Sequence, residues 1–257
     1  MKISFKKLKT ADDNISVSFD NRGIFENYDK NIALSSGIPI PAECTNFSNI
    51  VVKTDKSEIT DLVYEIPVEL LNSGNLSSKL DKRIKNLKIP EGVTSISDKA
   101  FYECRSLTSI TIPESVTFIG RLAFMYCNGL TSISIPNAVT SIGEMAFRYC
   151  SGLTSINIPA SVTSIEEGTF DGCRNLTSIK IPDSVTSIGV FAFYGCSNLI
   201  SIIIPASVTT IGNKAFASCS KLSSINYRGT ESQWNNITKG GDWNLYCPAV
   251  VNYSYVG

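Results

Sequence analysis

The side chains with the clearest chemical potential in this chain are its eight cysteines, because six of them recur every 23 residues. These six are Cys104, Cys127, Cys150, Cys173, Cys196 and Cys219. If the 23-residue units stack as adjacent coils, neighbouring Cβ atoms lie about 5 Å apart, whereas a disulfide needs about 3.8 Å. There is also no Cys-x-x-Cys pair that could hold structural zinc. The spacing therefore predicts buried, free thiols that act as small apolar side chains. Cys44 and Cys247 fall outside the register, and their state stays open.

The chain contains no histidine, which removes the commonest general base near neutral pH and the commonest metal ligand. Ser-His-Asp and Cys-His catalytic arrangements are thereby excluded. The carboxylates Glu91, Glu114 and Asp183 each follow a repeat proline and are predicted to lie in solvated turns. We therefore predict no catalytic, metal-binding or cofactor-binding residues, no cofactor, and a protein that is not an enzyme.

The elements that would position these side chains repeat with the same 23-residue step. Leu107, Ile110 and Ile112 form an apolar set in which the isoleucines alternate with polar residues, which is typical of a half-buried strand. Pro113 then ends the strand, and Val116 and Ile119 predict a second short strand. The segment "RLAFMYC", residues 121–127, has the spacing of about one turn of α- or 3₁₀-helix. Such repeats predict a solenoid, in which each unit buries its apolar side only against its neighbours.

The pattern Leu107-x-x-Ile110-x-Ile112-Pro113-x-x-Val116-x-x-Ile119-Gly120-x-x-Ala123-Phe124-x-x-Cys127 resembles the BspA-type leucine-rich repeat of bacterial and some protozoan surface proteins. The resemblance implies an α/β, β-rich fold, a right-handed leucine-rich repeat solenoid with a parallel sheet on its concave side. It implies adhesion and protein binding rather than catalysis. The commoner leucine-rich repeat has an asparagine ladder where this chain has Ser115, Ala138, Ser161, Ser184 and Ser207.

Three regions follow from the extent of the repeat. Residues 1–80 contain no copy and include the strand-like runs "ISVSFD", "SNIVVK" and "DLVYEIPVELL", which predict a small β-rich N-terminal domain or cap. Residues 81–228 hold six copies and part of a seventh, and residues 229–257 are similar to the closing segment of such arrays. A cap must cover the apolar side chains of the last coil, and Trp234, Trp243 and Tyr246 are large enough to do so.

The charge balance argues against broad electrostatic partners, because 23 basic residues face 23 acidic ones. We predict no nucleic-acid binding. No stretch approaches the roughly 18 apolar residues of a membrane span, so membrane insertion is not expected. The N-terminus shows no signal peptide. The resemblance implies a cell-surface or secreted location, and an intracellular location is the alternative.

The candidate binding residues are found by comparing the copies with one another. One outward strand column is almost uniformly serine, whereas the adjacent outward column varies and is therefore free to serve recognition. We call this second column the recognition strip; it consists of Lys88, Thr111, Ser134, Asn157, Lys180, Ile203 and Asn226. Its expected partner is a host, matrix or neighbouring surface protein.

Three alternatives remain open on the sequence. The strip is an ordinary hydrated surface, or the array is a structural or virion-type spacer that displays residues 1–80, or Trp234 and Trp243 stack on a glycan.

Overall fold

The structure is a computed structural model that describes residues 84–255 with their side chains and, before them, the backbone of seven strands. These seven are β1 (Lys2–Phe5), β2 (Asn14–Ser18), β3 (Glu26–Asp29), β4 (Ile38–Pro39), β5 (Val51–Lys53), β6 (Glu58–Ile59) and β7 (Leu62–Glu65). The predicted strand-like runs overlap β2, β5 and β7. Cys44 lies outside the described residues.

Each repeat forms one coil with two short strands, as the sequence predicted. The first strands of the coils are β8 (Asn86–Lys88), β10 (Ser109–Thr111), β12 (Ser132–Ile133), β14 (Ser155–Asn157), β16 (Ser178–Lys180), β18 (Ser201–Ile204) and β20 (Ser224–Tyr227). The second strands, which follow the repeat prolines, are β9 (Ser95–Ile96), β11 (Phe118–Ile119), β13 (Ser141–Ile142), β15 (Ser164–Ile165), β17 (Ser187–Ile188) and β19 (Thr210–Ile211). The chain closes with helix α1 (Glu231–Asn236) and strands β21 (Thr238–Lys239) and β22 (Val250–Asn252).

The coils stack in parallel and in register, so equivalent positions of successive copies are neighbours. Ser155 pairs with Ser178, and Ile156 pairs with Ile179. The first strands from β12 to β20 form one six-stranded sheet that ends at β22, while β8 and β10 belong to a second sheet. The single continuous sheet expected along this face is therefore divided between β10 and β12. The architecture is a parallel β-solenoid, which confirms the predicted fold class.

The N-terminal strands are joined to the first coil. Strand β7 pairs in parallel with β8, with Tyr64 opposite Leu87, and β1 and β4 extend the same sheet in antiparallel fashion. A separate antiparallel sheet has the order β3-β2-β5-β6. Strand β8 is therefore hydrogen-bonded on both sides, so the first coil exposes no open strand edge there.

The core is a stack of identical side chains contributed by successive coils. The rings of Phe101, Phe124, Phe147, Phe170, Phe193 and Phe216 are fully buried and lie nearly parallel, with neighbouring centroids 5.1–5.8 Å apart. The repeated leucines, isoleucines and valines bury on both sides of this column. Each ring covers the next, so a coil is stable only within the array.

The "RLAFMYC" segment is not helical, contrary to the sequence prediction. Leu122 and Tyr126 adopt left-handed backbone conformations, with φ of 59° and 64°, and the segment is a run of tight turns. The N–H of Phe124 donates to Ala146 in the next coil (2.8 Å), whereas the N–H of Cys127 donates within its own coil to Phe124 (3.0 Å). In a helix every N–H donates within the same segment along the helix axis. The N–H groups that donate to the neighbouring coil therefore exclude a helix here.

The glycines before this segment begin its first turn and also permit close packing between coils, since the N–H of Ala123 donates to the Gly120 carbonyl at 3.3 Å. A Cβ on Gly120 would lie 2.6 Å from the backbone nitrogen of Asp98, and one on Gly143 would lie 2.7 Å from that of Arg121. Only a residue without a side chain lets adjacent backbones approach so closely.

Candidate binding surface

The residues of the recognition strip lie beside one another within each of the two sheets, because the strands alternate and stack in register. In β14, Ser155 and Asn157 are exposed while Ile156 between them is buried. Lys88 lies beside Thr111, and further along Asn157, Lys180, Ile203 and Asn226 lie beside one another in successive strands. Ser134 follows β12 directly and is exposed. The structure therefore places the predicted residues in two paired groups, with Ser134 directly after β12 between them: Lys88 with Thr111, and Asn157, Lys180, Ile203 and Asn226 together.

The strip changes in exposure along its length. Thr111, Ser134, Asn157 and Lys180 are exposed, whereas Lys88, Ile203 and Asn226 are partly covered. The line also continues past the last repeat, because Asn252 in β22 pairs with Asn226 and its amide donates to the Asn226 Oδ1 at 2.8 Å. Asn252 was not predicted, since it lies in the cap outside the 23-residue register and only the strand pairing reveals it.

Other polar columns on the surface are used to join the coils. The hydroxyl of Thr140 donates to the carbonyl of Thr117, and the same contact recurs from Thr186 to Thr163. The column that replaces the asparagine ladder behaves similarly: Ser115, Ser161, Ser184 and Ser207 each donate to a valine carbonyl of the preceding coil at 2.5–2.7 Å. These hydroxyls are occupied within the protein.

The strip residues differ from these columns in this respect. Within residues 84–255, the side chains of Ser134, Asn157 and Lys180 make no hydrogen bond or ion pair with another protein group. Their donors and acceptors face solvent and are available to a ligand.

Two hollows lie along the strip and meet at Asn157. One has a volume of about 410 Å³ and is lined by Ser132, Ser134, Ser155 and Asn157 together with the isoleucines between them. The other, of about 330 Å³, is lined by Asn137, Asn157, Ile158, Pro159, Ala160, Lys180, Pro182, Asp183 and Ser184. Both have polar and aliphatic residues in their lining.

The six periodic thiols are free and buried, as predicted, and they also have a role that the sequence did not reveal. The Cys150 thiol donates to the Phe124 carbonyl of the preceding coil at 3.0 Å. Four other thiols donate to the equivalent phenylalanine carbonyl at 3.1–3.2 Å: those of Cys127, Cys173, Cys196 and Cys219. Burial raises the pKa of Cys150 to about 12 and that of Cys219 to about 12. The thiols are therefore protonated at neutral pH and serve as structural donors, not nucleophiles.

The acidic residues show structural pairing. Asp183 accepts two hydrogen bonds from Nη1 of Arg228, at 3.0 and 3.2 Å, while Glu91 and Glu114 lie exposed in their turns. Asp171 is buried, which raises its pKa, and the Arg148 guanidinium 2.7 Å away acts in the opposite direction. In the part of the chain that the structure describes, no three Cys, Asp or Glu side chains gather into a metal-binding group.

The closing segment covers the last coil with its two tryptophans. Trp243 packs edge-on against Phe216 at 6.2 Å, and Trp234 packs against Trp243 at 5.8 Å and Tyr227 at 5.1 Å. Trp234 is only 5% exposed, so it has no open ring face for a sugar. Tyr246 was expected to join the cap but is 78% exposed.

The repeat matches a known family model along most of its length. Six copies of the BspA-type leucine-rich repeat region match at residues 78–158 and 146–240, which together span more than half of the chain. The chain belongs to the BspA-type leucine-rich repeat family. No curated protein matches it in sequence.

Solved structures of leucine-rich repeat proteins share this architecture. A leucine-rich repeat protein from T. pallidum is 27% identical over 72% of this chain and 82% of its own, with a TM-score of 0.56. One from Bacteroides ovatus is 24% identical over 97% of this chain and 72% of its own, with a TM-score of 0.61. Among the described residues, no helix has the length and apolar character needed to cross a membrane.

Proposed function

We propose that this protein is a non-enzymatic interaction module that presents the recognition strip to a protein partner at a cell surface. The observation that carries the proposal is the contrast between polar columns. The hydroxyls of the threonines and of the serines that replace the asparagine ladder donate hydrogen bonds between coils. The polar groups of Ser134, Asn157 and Lys180 instead face solvent. A column that varies in identity, and whose residues Ser134, Asn157 and Lys180 form no side-chain bonds between coils, is suited to recognition.

The chemistry of the strip favours an extended protein segment. It offers hydroxyl, amide and ammonium side-chain groups in every coil except that of Ile203, and it has no dense charge. A row of this kind can hydrogen-bond successive residues of a partner chain, and solenoids use their long sheet faces in this way. Family membership supports the surface location within this proposal.

The proposal is tested by blocking the strip with bulky charged side chains. Ser134→Arg and Asn226→Arg should each abolish capture of a protein partner from host or neighbouring cell surfaces in a cross-linking pull-down. Ser141→Arg is the matched control, because Ser141 is exposed like Ser134 but lies on β13, in the sheet formed by the second strands. Its capture should equal that of the wild type.

Two results would contradict the proposal. Equal capture by all three variants would exclude the strip. Capture that resists protease treatment of the partner cells but is lost after glycan removal would favour glycan recognition.

The spacer function is a second candidate, because β7 is hydrogen-bonded to β8 and so connects the N-terminal strands directly to the solenoid sheet. It predicts that residues 1–80 carry the attachment and that both arginine variants behave as wild type.

A further inference from the structure

Resting on the proposed function, we infer that the 330 Å³ hollow beside Asn157 and Lys180 receives an acidic side chain of an extended peptide that lies along the recognition strip. The ligand class is thus a peptide with a glutamate or aspartate at one defined position, and the hollow is the determinant of specificity.

The charge of the hollow favours an acidic ligand. It contains one ammonium, from Lys180, and one carboxylate, from Asp183. These two do not pair with each other, because Asp183 accepts both of its hydrogen bonds from Arg228, which reaches it from two coils further along the chain. The intervening coil has only Ala206 at the position equivalent to Asp183, which leaves the path open. The Lys180 ammonium is therefore the one cation of the hollow whose charge is uncompensated within the described residues.

The neighbours of Lys180 along the strip also favour an acidic ligand. Its neighbours in the adjacent strands are Asn157 and Ile203, neither of which carries charge. An incoming carboxylate would meet the ammonium and the Asn157 amide donor together, and charge-assisted hydrogen bonds of this kind are the stronger ones. The strip itself has no acidic residue that would repel the carboxylate. The one carboxylate of the hollow, that of Asp183, is paired with the Arg228 guanidinium.

The lining of the hollow also suits a glutamate side chain. Ile158, Pro159 and Pro182 are apolar lining residues that can contact its methylene groups. The adjoining 410 Å³ hollow provides Ser132, Ser134 and Ser155 for the peptide backbone beyond it. Among the described residues that line the two hollows, none has an aromatic ring, so the stacking platform that sugars commonly use is missing here.

The test uses the full chain and two fluorescent peptide libraries. Both contain random decapeptides, with a fixed central glutamate in one and a fixed central glutamine in the other, and retention is measured by fluorescence polarisation. We expect the glutamate library to be retained with about tenfold higher affinity, in keeping with a charge-assisted hydrogen bond in place of a neutral one. Lys180→Met should remove this preference, and Lys180→Glu should reverse it.

The matched control is Arg174→Glu, which makes the same change in net charge as Lys180→Glu at a nearby position in the chain. Arg174 is exposed and lies outside both hollows, in the turn segment that precedes the strand. The variant should keep the glutamate preference within about twofold, because exposed charges at a distance are screened by salt. Unchanged thermal melting of each variant confirms that its fold is intact.

Each result has one interpretation. Equal retention of both libraries, or loss of the preference in Arg174→Glu to the same extent as in Lys180→Met, overturns the inference. If Ser134→Arg still abolishes partner capture in that case, the proposed function stands and only the acidic specificity is wrong. Retention of neither library, together with preferential binding of a uronate oligosaccharide that depends on Lys180, overturns the peptide assignment as well.

Discussion

The serine ladder allows a sharp test of how the coils are held together, because one rung is naturally missing. Ser184 donates to the Val162 carbonyl at 2.6 Å, but in the coil that begins at Leu130 the equivalent residue is Ala138. The backbone turn is the same in both coils, since the N–H groups of Val139 and Val185 each donate to the preceding proline carbonyl at 3.1 Å. A serine at position 138 would therefore find the Val116 carbonyl in the ladder geometry.

The expected magnitudes have opposite signs. Ala138→Ser adds one intramolecular hydrogen bond and should stabilise the protein by about 0.5–1.5 kcal/mol. Ser184→Ala leaves a partly buried carbonyl without its donor and should cost about 1–3 kcal/mol. For a chain of this size, 1 kcal/mol corresponds to a shift in Tm of about 2–4 °C.

The assay is urea unfolding followed by circular dichroism, with thermal melts of the same samples. Ser178→Ala is the control, because Ser178 is exposed on β16 and its hydroxyl makes no hydrogen bond within the described residues. It should change the free energy of unfolding by less than about 0.5 kcal/mol. The reasoning is refuted if Ala138→Ser fails to stabilise the protein, or if Ser184→Ala costs no more than Ser178→Ala.

Two further predictions concern the core. Phe147→Ala removes a fully buried ring between Phe124 and Phe170 and should lower the free energy of unfolding by about 3–5 kcal/mol, whereas a denaturation curve like that of the wild type would contradict the stacking. The pKa of the Cys150 thiol is about 12 in the folded protein and about 8.5 in the unfolded chain. Its contribution to the free energy of unfolding is therefore complete below about pH 8.5 and is lost as pH rises toward 12. Under reducing conditions, the decline in stability from pH 9 to 10.5 should therefore be shallower in Cys150→Ala than in the wild type by about 1.4 kcal/mol per pH unit. Identical slopes would show that the thiol is not protected.

The sequence predicted the elements that depend on local pattern. The alternation of Ser109, Ile110 and Thr111 indicates a strand with one buried face, and the structure has that strand with Ile110 buried. The proline after each first strand, the second strand and the column of phenylalanines follow from the same 23-residue register. Because every coil repeats one solution, a single copy determines the packing of all of them.

The turn segment could not be predicted in this way. The spacing of Ala123, Phe124 and Cys127 suits a helical turn as well as the observed run of tight turns. Which of the two forms is decided by the coils on either side: the carbonyls of the next coil accept alternate N–H groups, and the backbone of the preceding coil requires Gly120 at close range. Neither constraint exists within one repeat.

The binding surface divides along the same line. The sequence by itself determined which strip residues face outward and line up, because strand alternation and a constant period place Asn157 beside Lys180. Only the tertiary structure decided which polar groups are available. It directs the Asp183 carboxylate to Arg228 across two coils, and it joins Asn252 to a strip that ends at Asn226 in the repeats. Such contacts depend on distances between coils, and the order of residues along the chain does not specify them.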